Sequence, residues 1–226
     1  MKRPTARWWA TPASRRPSRT VPNTTSACSL QRARTSAQAR CHSAAGVVAA
    51  RFAAPFLVPQ PPLPVLDALG GEFSLPSTLG RDTPLSEFRG RLVLLNFGFA
   101  SCPDVCPTVL SRMRQALLGL GDDAAEVQPV FVTIDPERDT LGTLEPYVKH
   151  FHPAFIAMSG TPEDTRTAAA LFKVYYARED NPQIGYGFAH SDQIYLLDRE
   201  GRVRATFANT ATTGDMVASM RRLLAE

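Results

Sequence analysis

Apolar and polar positions fall into a regular pattern only beyond about residue 60. Residues 92–97 (Leu-Val-Leu-Leu-Asn-Phe) form a nearly unbroken apolar run of strand length, which reads as a buried strand. Residues 109–120 carry apolar side chains at helical spacing. Residues 127–134 return to a β-branched run, and 139–151 are amphipathic with Asp139 or Thr140 as N-cap. A short strand is predicted at 155–158. A helix follows at 162–172, opened by Thr161 with Asp164 three residues later. Strands at 194–197 and 203–207 flank the turn Asp198-Arg199-Glu200-Gly201, and a last helix spans 213–224. Ahead of the first strand, 70–84 is turn-rich and reads as a small hairpin, with one helical turn starting at Pro84. Strand–helix–strand followed by a hairpin and a terminal helix is the thioredoxin arrangement, an α/β fold. The N-terminal hairpin and the segment 139–158 are additions to it.

The first 60 residues differ in kind. Residues 1–66 hold ten Lys and Arg and no acid, whereas the remainder holds 15 basic against 21 acidic residues. The basic balance of the whole chain therefore belongs to the tail, and no nucleic-acid groove is implied for the acidic remainder. Residues 1–60 are expected to be a disordered basic tail or a degenerate targeting segment, and 61–226 a single domain. The best apolar stretch of the tail, 44–58, is interrupted by Arg51 and is shorter than the roughly 20 residues that span a bilayer. No anchor is evident, and Thr25-Ser26-Ala27-Cys28 makes no convincing lipobox.

Candidate chemistry concentrates at Phe97-Gly98-Phe99-Ala100-Ser101-Cys102-Pro103-Asp104-Val105-Cys106-Pro107. Here two cysteines lie between a buried strand and a helix, where the helix N-terminus favours thiolate. Cys28 and Cys41 fall in the tail and read as incidental. Thiolates select Cu(I), zinc or iron–sulfur clusters, and two sulfurs call for a further ligand. Of the four histidines, His42 is in the tail, and His150 and His152 read as surface charges ending a helix. His190 precedes the strand 194–197. In a thioredoxin-like fold that position adjoins the cysteine turn, which makes it the third candidate ligand. Two thiolates and one imidazole suit Cu(I), with Cu(II) as a second state. A pair of buried structural cysteines is the plain alternative. The segment Ile134-Asp135-Pro136-Glu137-Arg138-Asp139-Thr140 reads as loop and cap chemistry, with partner docking or support of the site as the functional alternative.

These three segments, in this order, resemble the SCO/SenC family over roughly residues 70–224. The resemblance implies a thioredoxin-like fold and copper bound by Cys102, Cys106 and His190. It implies a metallochaperone that delivers copper to the CuA centre of cytochrome c oxidase, reduces that centre's cysteines, or both. Partners would be the copper-bearing oxidase subunit and other periplasmic copper carriers or thiol reductants. The location would be the periplasm, in association with the inner membrane, and the cysteine pair would be able to form a disulfide bond. Many members carry Asp immediately before the histidine. Here the residue is Ala189, with Asp192 as a candidate substitute. A dedicated thiol–disulfide oxidoreductase using Cys102 and Cys106 is the competing function. A thiol peroxidase is disfavoured because both tryptophans, Trp8 and Trp9, lie in the tail.

Overall fold

In the computed structural model the described residues are 61–182, 185–208 and 210–226. The expectations for residues 1–60, including Cys28, Cys41 and His42, lie outside them. Strands β1 (Ser74–Pro76) and β2 (Asp82–Pro84) pair as the expected small hairpin, and a 3-10 turn follows at Leu85–Phe88. Next come β3 (Leu92–Gly98), helix α1 (Val105–Leu120), β4 (Val127–Thr133), α2 (Leu141–Phe151), β5 (Ile156–Met158) and α3 (Pro162–Leu171). The chain ends with β6 (Tyr176–Asn181), β7 (Gly185–His190), β8 (Ile194–Leu197), β9 (Val203–Phe207) and α4 (Thr213–Leu224).

Five strands form one sheet in the order β5-β4-β3-β8-β9. β3, β4 and β5 run parallel, while β8 is antiparallel to β3 and β9 to β8. Every residue of β3 and β4 is buried, which is why their sequences are apolar runs and not alternations. Val93, Leu95 and Phe97 pack with Phe73, Phe88 and Phe172 on one side of the sheet. Leu92 and Leu94 pack with Leu110, Met113, Leu144 and Met216 on the other. The segment 139–158, expected as an insertion, supplies α2 and the sheet's edge strand β5. Thr161–Asp164 and Thr212–Asp215 close capping boxes on α3 and α4, joining two orphan helix-end donors in each case.

Two differences from the sequence reading bear on the site. Helix α1 starts at Val105, four residues before the expected 109, so Cys106 lies in its first turn. Pro107 does not prevent this, because first-turn amides have no partner within the helix. Second, β6 and β7 form a separate two-stranded antiparallel sheet where a loop was expected. His190 is the last residue of that hairpin.

Candidate metal centre

Three elements bring the candidate ligands together. The loop leaving β3 carries Cys102, the first turn of α1 carries Cys106, and the end of β7 carries His190. One ligand atom from each lies within 4.8 Å of the other two, and this is the only such Cys/His/acid group among the described residues. Cys106 Sγ is 3.5 Å from His190 Nε2, and the Cys106 amide donates to Cys102 Sγ at 3.5 Å. His150 lies in the last turn of α2 and His152 at its C-cap, and neither belongs to a ligand group among the described residues. Both cysteines are free thiols, so the disulfide expected from the resemblance is not formed in this structure.

Strand β3 makes room for this packing. A Cβ on Gly98 would stand 2.9 Å from Cys106 Sγ and 3.0 Å from the Phe131 ring. The glycine is thus required by close approach of the sulfur, not by its backbone angles. Cys106 is 1 % exposed, whereas Cys102 is half-buried beside a shallow groove that includes Phe99, Asp104, Glu179, Asp180 and Phe188. The outer sulfur is the accessible one.

The thiols are electrostatically unequal. The hydrogen bond from Cys106, helped by His190 and backbone amides, outweighs burial and lowers the Cys102 pKa to about 3. The same hydrogen bond, with burial, raises that of Cys106. A single proton is therefore kept on the inner sulfur while the outer one is thiolate. For His190, burial favours the neutral ring, but the hydrogen bonds to Cys102 and Ser191 prevail and raise its pKa. Its Nδ1–H donates to the Ser191 carbonyl at 2.8 Å, which points Nε2 at the sulfurs in the tautomer a metal needs. Asp192 acts on this ring through its charge. Ala189 occupies the opposite face of β7 from His190 and faces Ala177 across the hairpin.

The loop 135–139 departs from the expected capping role. Thr140, not Asp139, caps α2, accepting from the Thr143 amide. Asp139 is 2 % exposed, and its carboxylate accepts from the Ala100 amide at 2.8 Å and the Thr133 hydroxyl at 2.7 Å. Burial raises its pKa in spite of those bonds. Sequence reasoning also missed Phe99, Tyr186 and Phe188. The Phe99 ring lies 5.4 Å from Phe188 and 5.8 Å from His190, edge-on to both. The alternation Tyr186, Phe188, His190 after Gly185 was the available signal for an inward strand face.

Fold and site together define a thioredoxin-like protein with a two-sulfur, one-nitrogen group suited to a soft metal ion. The family model SCO1/SenC matches residues 64–225, and the chain belongs to that family. It is 38% identical over 157 residues to an SCO2-like protein of Rickettsia conorii, covering 68% of this chain and 76% of that one. Among solved structures it is similar to copper-bound ScoI of Arabidopsis thaliana (TM-score 0.67, 30% identity, 70% of this chain and 100% of the other). It is also similar to copper-bound ScoI of Bradyrhizobium japonicum (TM-score 0.64, 33% identity, 69% and 99%).

Proposed function

We propose that this protein binds copper through Cys102, Cys106 and His190 and acts as a metallochaperone in cytochrome c oxidase assembly. The observation that carries the reading is the convergence of the three donor atoms within 4.8 Å. Two sulfurs and an imidazole match the softness and low coordination number of Cu(I). The copper-bound relatives support the choice of metal. A fold neighbour, BsSco, is described as a member of the Sco family of cytochrome c oxidase assembly proteins, which supports the process. Cys102, the more accessible of the two sulfurs, would leave bound copper within reach of a partner's thiolate, so copper passes by ligand exchange without release of the free ion. The recipient is the copper-bearing oxidase subunit, at its CuA centre. The compartment is the periplasm, next to the inner membrane. Among the described residues no helix is long and apolar enough to cross a membrane.

The test is anaerobic mixing of the Cu(I)-loaded protein with the apo copper-bearing domain of that subunit, followed by the CuA absorption. Copper should move in the wild type and not in Cys102→Ser. Retention of all copper by the wild type, with a competent acceptor, would overturn the delivery role.

The inequality of the two thiols favours a second reading, a dedicated thiol–disulfide reductase. Cys102 thiolate would attack a partner disulfide and release one partner thiol. Cys106 would then give up its proton, resolve the mixed disulfide and release the second, so two electrons and the pair's one proton leave as a Cys102–Cys106 disulfide forms, the other proton coming from solvent. Disulfide reduction unaffected by His190→Ala would favour this reading over copper delivery.

A further inference from the structure

His190 stands on a hairpin that is not part of the main sheet, while both cysteines belong to the β3–α1 connection. At the hairpin's base, Ser191 and Tyr175 exchange two hydrogen bonds: the Ser191 amide reaches the Tyr175 carbonyl at 2.9 Å, and the Tyr175 amide reaches Ser191 Oγ at 3.1 Å. That base fixes where the hairpin starts. Its angle toward the cysteines has to be set elsewhere.

One loop touches both halves. On the cysteine side, Asp139 holds the Ala100 amide, two residues before Cys102, and the Thr133 hydroxyl. Thr133 Oγ1 in turn accepts from the Asp135 amide at 2.9 Å. On the histidine side, the Tyr186 hydroxyl donates to Asp135 Oδ1 at 2.9 Å. The other Asp135 oxygen accepts from Arg138 Nε. Arg138 Nη1 donates to the Tyr186 carbonyl at 2.9 Å. The guanidinium carbons of Arg138 and Arg178 lie 3.7 and 3.5 Å from the centre of the Tyr186 ring. Asp135 and Asp139 are each 2 % exposed, so both carboxylates are shielded from water, while Tyr186 and Arg138 are partly buried. Tyr186 and His190 share one face of β7, four residues apart.

We propose that loop 135–139 is a clasp that preassembles the copper site, with Tyr186 as its lock on the histidine hairpin and Asp139 as its grip on the cysteine loop. None of these residues contributes a ligand, so they are positioning residues. The proposal rests on the ligand assignment above. Its physical basis is population: with the clasp closed, His190 is already in place, and when it opens, apparent affinity falls by the fraction of time the ring is displaced. The two cysteines stay together on their own loop and helix in either state.

The test uses the reduced full-length protein with Cys28→Ser and Cys41→Ser, so that only Cys102 and Cys106 offer sulfur. Cu(I) affinity is measured by competition with a chromophoric chelator, and ligation by X-ray absorption. Tyr186→Phe keeps the ring between the two arginines and deletes only the hydroxyl. Asp135→Asn weakens both of the carboxylate's tethers. Affinity should fall about threefold in Tyr186→Phe and about tenfold in Asp135→Asn. The nitrogen contribution should diminish and both sulfurs remain. Circular dichroism and Tm of Tyr186→Phe should match the parent, which separates displacement of the ring from unfolding. In a His190→Ala background neither substitution should weaken copper further. Undiminished affinity and nitrogen ligation in both variants, or an equal loss in the His190→Ala background, would overturn the clasp. A parent protein whose copper shows no nitrogen ligand would overturn the ligand assignment first, an outcome distinct from failure of the clasp alone.

Discussion

Replacing Gly98 by alanine tests whether the sulfur's seat against β3 controls the site. The added methyl would stand 2.9 Å from Cys106 Sγ, some 0.5 Å short of the 3.4 Å at which ordinary contact begins, and 3.0 Å from the Phe131 ring. Neither wall yields easily. Phe131 is fully buried in β4, and Cys106 is held in the first turn of α1. Overpacking of this kind costs about 1–3 kcal/mol. For a domain of this size, each kcal/mol lowers Tm by about 2–4 °C, so a fall of roughly 2–12 °C is expected. Metal–ligand distances are held to about 0.2 Å, so a retreat of the sulfur by more than twice that should weaken copper at least about tenfold. Gly142→Ala is the control. It sits near the start of α2, where the nearest atom to a new Cβ is Thr140 Oγ1 at 3.9 Å, and should leave both quantities unchanged or raise Tm slightly. Calorimetry and Cu(I) competition measure the pair. Parental Tm and affinity in Gly98→Ala would show that the sulfur does not need a glycine at this position.

Asp139→Ala strands the Ala100 amide and the Thr133 hydroxyl, and should cost about 2–4 kcal/mol in denaturant unfolding while weakening copper. Thr212→Ala removes the side chain that caps α4, and should cost about 0.5–2 kcal/mol with no change in copper affinity, since it lies outside the ligand group. Acid stability should depend on Asp198. Burial opposes its ionisation, but hydrogen bonds from Arg202 and Arg204 outweigh that and hold its pKa below the ordinary value. A depressed folded pKa gives stability that is full above the unfolded value of about 3.9 and is lost as pH falls through the folded value. Unfolding free energy measured from pH 6 down to 2 should thus fall less steeply in Asp198→Asn than in the parent.

The sheet, its helices and the two cysteines were legible because each rests on a local signal. β3 and β4 are unbroken apolar runs, and Thr161–Asp164 is a capping pair readable from sequence. The β6–β7 hairpin was not legible in its first strand, since Tyr-Ala-Arg-Glu-Asp-Asn is half charged and gains its order by pairing with β7, which itself contacts Arg138 and Phe99 through Tyr186 and Phe188. The start of α1 was misplaced because Pro103 and Pro107 look like turn residues, although the latter fits a first helical turn. Asp139 and Thr140 are adjacent and both are good caps. Only the distance from Asp139 to Ala100, 39 residues earlier, shows which of them was free for the cysteine loop. His190 was placed from fold analogy, and the structure supplies the hairpin that carries it.

We propose that Cys102, Cys106 and His190 hold one copper ion. The most direct test is an anaerobic Cu(I) titration of the reduced full-length Cys28→Ser/Cys41→Ser protein, with X-ray absorption at the endpoint. One equivalent should bind tightly, with two sulfurs and one nitrogen around it, and tight binding should be lost in Cys102→Ser or Cys106→Ser. Copper bound without sulfur, or with unchanged affinity in Cys102→Ser, would contradict it.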